Sequence, residues 1–350
     1  MKVLVTGATG FVGQHVARRL AASADVAIFA RHRDKARAMF GDAVEVRHGD
    51  LKDAASLDRA LEGIDRVYHI AARRDHWGMP YDDYYQANVV GTRSLLEAAR
   101  RHGTSKIVYC SSVGVYGHGY QYFPVDEAHP FGQHLSFYHK SKALAEEVVR
   151  SYPDLPVVTV RPGWIYGPND EWGGVTQMLI KLAKGQFAFV GSGENRLHPV
   201  FINDVVGGIV AAGESERYGE AYLLLGPEHT TFRNYVYAMC DALGAERPRW
   251  SVPYLAGRAA CYALEPMWLV KNRVLGKKLL GDKPPMTRDT LDGVSTHRYF
   301  DTSKATREIA HTPAVSIADG LQTTVEWLAG TGRLPASVTE RIKQRGVVTA

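Results

Sequence analysis

The octet Thr6-Gly7-Ala8-Thr9-Gly10-Phe11-Val12-Gly13 directly follows an apolar run, Val3–Val5, and opens an amphipathic stretch, Phe11–Ala22. Glycines at this spacing have separate tasks at a strand-to-helix turn. One permits the tight turn, one lets the backbone approach a pyrophosphate, and one lets helix and strand pack closely. A helix that begins there offers free N–H groups and the positive end of its dipole to phosphates. Isolated glycines also make ordinary loops. In this strand–helix setting the motif predicts dinucleotide binding by Gly7, Thr9, Gly10, Phe11, Val12 and Gly13.

The next 150 residues extend the same pattern. Short apolar runs at Val3–Val5, Val26–Phe29, Val44–Val46, Val67–Ile70, Ile107–Tyr109 and Val157–Val160 read as buried strands. Between them lie helical patterns such as Ala54–Leu61, Val89–Arg101 and Lys140–Arg150. This alternation predicts an α/β fold: a Rossmann-type doubly wound parallel sheet with ligands at the carboxyl ends of its strands. After Arg161 the alternation loosens, and Pro162, Gly163, Gly167, Pro168, Gly173 and Gly174 mark loops. Later strands, at Phe187–Val190, Val200–Ile202 and Ala221–Leu225, are short and widely spaced. The expected division is a dinucleotide domain over 1–162 with an element returning near 200–226. A smaller C-terminal substrate-binding region would take 163–199 and 227–335, and 336–350 would form a surface tail.

The chain has 350 residues and a net charge of +5, with its basic residues scattered. That argues against a nucleic-acid partner and suits an anionic cofactor. No run of about 18 apolar residues occurs, so no integral membrane span is expected. With a strand read from Lys2 no signal peptide is expected, and three scattered cysteines suit a reduced, cytoplasmic compartment. Residues 253–280 are rich in Leu, Ala, Tyr and Trp but are broken by Arg258, Glu265, Lys271 and Arg273. They read as a buried amphipathic helix, or alternatively as one facing a membrane surface.

The second strand ends Ile28-Phe29-Ala30-Arg31-His32-Arg33. An acid at this end would bind the adenosine ribose and repel a 2′-phosphate. Instead Arg31 and Arg33 stand where a 2′-phosphate could be gripped, so NADP is favoured and NAD stays open. Asp50 and Leu51, beyond the third strand, are placed to touch adenine, although a plain turn also accounts for Asp50.

Tyr138 and Lys142 lie four apart, on one helix face. A nearby ammonium favours the phenolate, which a phenol of ordinary pKa near 10 requires for proton transfer at neutral pH. Lys142 could also hold a nicotinamide ribose. Ser112 follows a strand end, where its hydroxyl can hold a substrate oxygen. A metal site is not expected, because His118, His129 and His134 share one loop without zinc-site spacing and without a cysteine.

Several segments together carry a family resemblance. They are TGATGFVG, His69-Ile70-Ala71-Ala72, Asn88 with Gly91-Thr92, SSVGVYG (111–117), YHKSK (138–142) and RPGWIYGPND (161–170). In these the chain resembles the extended short-chain dehydrogenase/reductases, over nearly its whole length and most specifically in residues 1–170. The resemblance implies a catalytic trio of Ser112, Tyr138 and Lys142 supported by Asn88. It places Ala71 and Ala72 along the cofactor groove, with Pro162, Gly163 and Ile165 against the nicotinamide.

Two branches of that family compete. Sugar-nucleotide epimerases and dehydratases typically clamp diphosphate with two arginines. Here Arg196 is one residue off the first position, and the second run is replaced by Ser295-Thr296-His297-Arg298-Tyr299-Phe300-Asp301. Residues 197–205 and 299–305 are more similar to the 3β-hydroxysteroid dehydrogenase and dihydroflavonol reductase branch. That likeness implies a ketone or secondary alcohol on a bulky, often apolar small molecule. Substrate candidates are Arg73, Trp77, Val113, Trp164 and Arg196, together with Ser112. The loop aromatics Tyr81, Tyr84, Tyr85 and Trp172, with Met79, would suit such a ligand. A transient sugar oxidation by the same trio is the alternative, and a non-catalytic NADP sensor is a third reading. The family often dimerises through a four-helix bundle, for which Val89–Arg101 and Lys140–Arg150 are candidates.

Overall fold

The computed structural model describes residues 1–74, 77–117, 123–274 and 283–344. Strands and helices alternate from the start: β1 (Lys2–Thr6), α1 (Phe11–Ala21), β2 (Asp25–Ala30), α2 (Arg33–Phe40), β3 (Glu45–His48), α3 (Ala54–Leu61) and β4 (Arg66–His69). Next come α4 (Tyr81–Tyr84), a π-helical turn (Tyr85–Val90) and α5 (Gly91–Arg101). They lead to β5 (Lys106–Cys110), a 3₁₀ turn (Val113–Tyr116), α6 (Phe137–Arg150) and β6 (Val157–Pro162). The second half holds β7 (Trp164–Tyr166), α7 (Gly174–Ala183), β8 (Phe189–Val190), β9 (Arg196–Leu197), β10 (Pro199–Phe201), α8 (Ile202–Glu214) and β11 (Ala221–Leu224). It continues through β12 (Thr230–Thr231), α9 (Phe232–Leu243), β13 (Ser251–Val252) and α10 (Tyr254–Val274). Four further helices follow: α11 (Arg288–Ser295), α12 (Ser303–Ile309), α13 (Ile317–Gly330) and α14 (Ala336–Gln344).

Seven strands form one sheet in the order β11-β6-β5-β4-β1-β2-β3, and all six pairings are parallel. This is the doubly wound α/β architecture that the alternation predicts. The apolar runs are continuous because helices cover both faces; β5 is buried along its whole length. The chain leaves β1 first for β2 and later for β4, on opposite sides. The crevice at that reversal lies between the carboxyl ends of β1 and β4, where parallel sheets take ligands.

The structure differs from the sequence pattern at several boundaries. The helix expected at 140–150 starts earlier, at Phe137, because the Ser136 hydroxyl caps it by accepting the His139 N–H. Tyr138 therefore sits in the first turn. The helix expected at 89–101 is regular only from Gly91, since a π turn holds Asn88. The strand expected at 200–202 ends at Phe201, and Ile202 already opens α8. Within 253–280 a helix forms to Val274, while 275–280 lie outside the described residues. The buried reading of that helix is corrected: only Gly257, Cys261, Glu265, Trp268 and Lys271 are buried.

One buried ion pair joins α6 to the sheet. The Arg161 guanidinium, on β6, donates to Glu146 of α6, with Nε 3.1 Å from Oε1 and 3.2 Å from Oε2. Its Nη1 donates to the Tyr116 hydroxyl at 2.6 Å and to the Glu127 carbonyl at 2.9 Å. Removing Glu146 strands the guanidinium in a dry interior, and removing Arg161 leaves the buried Glu146 with only the exposed Arg150, 3.1 Å away, as an ionic partner. Arg161→Ala should lose about 3–5 kcal/mol of stability in urea unfolding, and the paired replacement Arg161→Met with Glu146→Leu should lose clearly less. A loss below about 1 kcal/mol for Arg161→Ala would contradict this account.

Candidate active site

The glycine turn is fixed by backbone contact. Gly7 has a φ of 75°, and a Cβ on it would lie 2.7 Å from the Ala71 Cα and N. A Cβ on Gly13 would meet the Gly7 carbonyl oxygen at 2.1 Å, so α1 lies directly against the turn. Gly10 occupies the N-cap without a side-chain hydrogen bond, and Thr9 is half-buried beside it. Phe11 and Val12 anchor the first turn in the core. These close approaches set the N-terminus of α1 at the carboxyl end of β1, where a helix end can take an anionic group.

At the far side of the crevice Ala30 pairs with His48, which places the ends of β2 and β3 together. Arg31 is exposed, with Nη1 3.8 Å from the Asp50 carboxylate, and Arg33 opens α2, also exposed. Asp50 also accepts the Lys52 N–H at 2.9 Å, so it serves its own turn as well as Arg31. Leu51 presses on α5: a Cβ on Gly91 would meet its carbonyl oxygen at 2.9 Å.

A chain of hydrogen bonds joins β1, β4 and the π turn. Ala71 N–H donates to Thr6 Oγ1 (3.1 Å), which contacts His69 Nδ1 (2.8 Å). His69 Nε2 contacts Thr92 Oγ1 (3.1 Å), which donates to the Asn88 carbonyl (2.6 Å). One proton assignment satisfies every contact: Thr6 O–H donates to Nδ1, and Nε2–H donates to Thr92. His69 must then be neutral, and burial with the nearby Lys142 charge lowers its pKa to about 3. The Asn88 side chain brackets Arg73, accepting its N–H at 2.6 Å and donating to its carbonyl at 3.1 Å. It also donates to Ser141 Oγ at 2.8 Å, and Ser141 in turn donates to the Tyr138 carbonyl at 2.7 Å. Asn88 thus fixes backbone on both sides of the crevice, Ala72–Arg73 on one and the first turn of α6 on the other.

Lys142 is buried and donates from Nζ to the Cys110 carbonyl at 2.5 Å, at the end of β5. Its ammonium lies 4.5 Å from the Tyr109 ring centroid. Desolvation lowers its pKa to about 8, against opposing attraction from Cys110 and Glu146. Two residues past Cys110, the half-buried Ser112 caps the 3₁₀ turn and accepts the Gly114 N–H at 3.1 Å. Val113 points into an apolar cluster with Ala143 of α6. Gly114 touches α6 closely, since a Cβ there would meet the His139 ring at 2.1 Å. Tyr138 and Ser112 are both half-buried, whereas Lys142 is buried. The three predicted residues therefore belong to one junction between the end of β5 and the first turns of α6.

The remaining candidates are more dispersed. Pro162 is buried at the end of β6, and Gly163 bonds through its N–H to the Leu224 carbonyl at 3.0 Å. Ile165 lies on β7, paired with Val200. Trp164 packs against Tyr235 with centroids 6.0 Å apart, and Trp172 is exposed beneath the Arg333 guanidinium. Arg73 donates from Nε to the Met79 sulfur at 3.0 Å, and Trp77 is half-buried. Tyr81 packs on Phe137 and Tyr85, and Tyr84 is buried. Arg196 is exposed over the Tyr299 ring, 5.4 Å from its centroid, while the next residue, Leu197, faces the core. His118 lies outside the described residues, His134 bonds to the Val115 carbonyl and His129 packs on Tyr116. Among the described residues no group of three metal-binding side chains occurs. Sequence reasoning missed the roles of Thr6, Thr92, Ser141, Glu146 and Arg161. Thr6, Thr92, Ser141 and Arg161 lie inside segments that carry the resemblance, whereas Glu146 carried no signal.

With this geometry the chain belongs to the NAD dependent epimerase/dehydratase family, whose profile matches residues 3–224. It is 30% identical over 338 residues to a 2-alkyl-3-oxoalkanoate reductase of Stenotrophomonas maltophilia, covering 92% of this chain and 98% of that one. It is 31% identical to an N-acetyl-alpha-D-glucosaminyl-diphospho-ditrans,octacis-undecaprenol 4-epimerase of Escherichia coli O157:H7, covering 79% and 81%. Sterol demethylase protein B of Methylococcus capsulatus is 30% identical, with 89% and 94% covered. Among solved structures, a double mutant of the dTDP-glucose 4,6-dehydratase DesIV of Streptomyces venezuelae, crystallised with NAD, superimposes with a TM-score of 0.73. That pair is 27% identical, with 94% and 97% covered. The relatives include reductases and dehydrogenases, and the chain is an enzyme of an NAD-dependent family with the extended short-chain dehydrogenase/reductase fold.

The His69 assignment has a thermodynamic consequence. A histidine whose folded pKa is depressed to about 3 leaves the unfolded chain to take up the proton first. Stability present above pH 6.5 should fall by up to about 1.4 kcal/mol per pH unit as acid is added toward pH 3. Urea unfolding between pH 7 and 4 should show that slope, and His69→Asn should flatten it. An unchanged slope would show that His69 is charged or exposed. Long-range ¹⁵N NMR should find the Nε2–H tautomer.

Proposed function

We propose that this chain is an NAD(P)-dependent oxidoreductase that interconverts a ketone and a secondary alcohol on a bulky, apolar small molecule. The observation that supports the reading is that the buried Lys142 ammonium bonds to the Cys110 carbonyl at the end of β5, two residues before the half-buried Ser112, on the same helix as the half-buried Tyr138. The bound nicotinamide supplies the hydride donor or acceptor. Lys142 keeps positive charge beneath Tyr138 and lowers the cost of the phenolate. Tyr138 gives its proton to the carbonyl oxygen in reduction and recovers it in oxidation. Ser112 already accepts from Gly114, which leaves its own hydrogen to donate to the same oxygen. Asn88 and His69 act as positioning residues that hold the walls of the crevice.

Gly7, Thr9, Gly10, Phe11, Val12 and Gly13 would hold the pyrophosphate, and Ala71, Ala72, Pro162, Gly163 and Ile165 would flank the nicotinamide. Arg31 and Arg33 would take a 2′-phosphate, which makes NADP the favoured cofactor within a family whose members use NAD. The exposure of Arg31 and Arg33 supports that choice, and a 2′-phosphate would compete with the Asp50 carboxylate, 3.8 Å away, for Arg31. The apolar substrate reading is supported by the position that would clamp a sugar-nucleotide diphosphate. There the core-facing residue is Leu197, Arg196 points to solvent, and Arg298 is bound to Asp292 at 3.0 Å. The similarity to a polyprenyl-linked sugar epimerase keeps sugar substrates in the test.

Tyr138→Phe should lower kcat at least about a hundredfold while cofactor affinity stays within about twofold; retained turnover would remove Tyr138 from the mechanism. In fluorescence titrations Arg31→Ala should weaken NADPH binding about tenfold and leave NADH almost unchanged. Tighter wild-type binding of NADH than NADPH would overturn the arginine argument. Because Lys142 loses its proton near a pKa of about 8, kcat/KM should fall on the alkaline side of that value. A profile flat to pH 10 would place that lysine outside the chemistry. Ketone and UDP- or dTDP-sugar panels, followed by cofactor absorbance and NMR, decide the substrate. Redox-neutral isomerisation of a sugar nucleotide would overturn the proposal.

A further inference from the structure

Helix α10 is built inside out. Its buried face carries Gly257, Cys261, Glu265, Trp268 and Lys271. Gly257 presses on β8, where a Cβ would lie 2.5 Å from Val190 Cγ1, and Cys261 joins an apolar cluster with Val190 and Leu291. Glu265 is satisfied there by Arg288, which donates from its backbone N–H (2.5 Å) and from Nε (2.7 Å). The opposite face is apolar and open. Leu255 (73% exposed), Tyr262, Met267, Leu269, Val270 (62%) and Val274 (71%) fall within roughly half of the helix circumference at 100° per residue. Trp250, 80% exposed, extends the surface just before the helix. A helix solvated by water would place these residues inward and its charges outward.

The exposed charges identify what covers this face. Arg258 and Arg273 are exposed on the helix, and its one acid, Glu265, is buried and paired. Two copies meeting face to face would therefore bring cation toward cation with no exposed acid on either helix. An anionic lipid surface complements the same pattern: arginines reach headgroups, aromatic rings sit at the interface and aliphatic side chains enter the acyl boundary. No helix of the described residues is long and apolar enough to cross a bilayer, so α10 would lie in the interface plane.

We propose that the open face of α10, with Trp250, docks the enzyme on anionic membrane surfaces. The proposal stands apart from the substrate reading, since it rests on the face and charge of one helix. If that reading also holds, docking brings the site to the phase in which an apolar ketone or alcohol dissolves.

The test is flotation of the full chain with vesicles of phosphatidylcholine alone or with about one third phosphatidylglycerol. The wild type should float with the anionic vesicles at least about tenfold better than with the neutral ones, and high salt should reduce the bound fraction. Leu255→Glu with Val270→Glu should cut flotation about tenfold. Both positions are exposed, so melting temperature and cofactor binding should not change; Leu255→Gln with Val270→Gln serves if the acidic pair fails to fold. Sedimentation velocity of the free protein is run in parallel. Absence of flotation, equal flotation on both vesicles, or flotation indifferent to the substitutions would overturn the proposal. So would self-association that the substitutions abolish in a protein that never floats.

Discussion

The Arg161–Glu146 pair is the interaction on which the site geometry depends most. One guanidinium on β6 reaches Glu146 of α6, the Tyr116 hydroxyl and the Glu127 carbonyl. Those contacts unite the strand that flanks the crevice, the helix of Tyr138 and Lys142, and the loop that follows Ser112. A buried pair of this kind need not add net stability, because desolvating both ions offsets much of their attraction. It does penalise any register of α6 that leaves either charge alone. Placement of the phenol and ammonium relative to the end of β5 is thereby restricted to one arrangement.

Charge is handled differently a few ångströms away. Lys142 meets a backbone carbonyl, not a carboxylate, and burial lowers its pKa to about 8. His69 is kept neutral by burial and by that same ammonium. An acid beside Lys142 would have pinned the lysine and opposed a phenolate on Tyr138. The crevice combines an ammonium, the N-terminus of α1 and the exposed Arg31 and Arg33, with the Asp50 carboxylate beside Arg31. That pattern suits an anionic dinucleotide and a transient phenolate together.

Much of this was legible in the sequence, for identifiable reasons. The parallel sheet follows from apolar runs spaced by helical patterns, and Gly7 and Gly13 are demanded by contacts a Cβ would break. Tyr138, Lys142 and Ser112 are readable because helix periodicity and a strand end dictate where they go. Other features depend on contacts that span the chain. Arg161 opens the RPGWIYGPND segment and Glu146 is an ordinary charged residue of a helix, but only the fold shows that they pair. Thr6, His69 and Thr92 each fall in a segment that carries the resemblance, but they come from three elements, so no local pattern shows that they bond to one another. The helix at 254–274 was recognised as a helix, but composition alone did not reveal which face packs inward; Gly257, Cys261 and Glu265 decide that.

The central claim is that hydride passes between cofactor and substrate, with net consumption of cofactor. Its most direct test is turnover of a bulky ketone with NADPH carrying deuterium at the transferable C4 position, with mass analysis of the product. The account predicts one deuterium on the carbinol carbon for each cofactor oxidised, and no transfer by Tyr138→Phe. Product isomerised without deuterium and without loss of cofactor would contradict it.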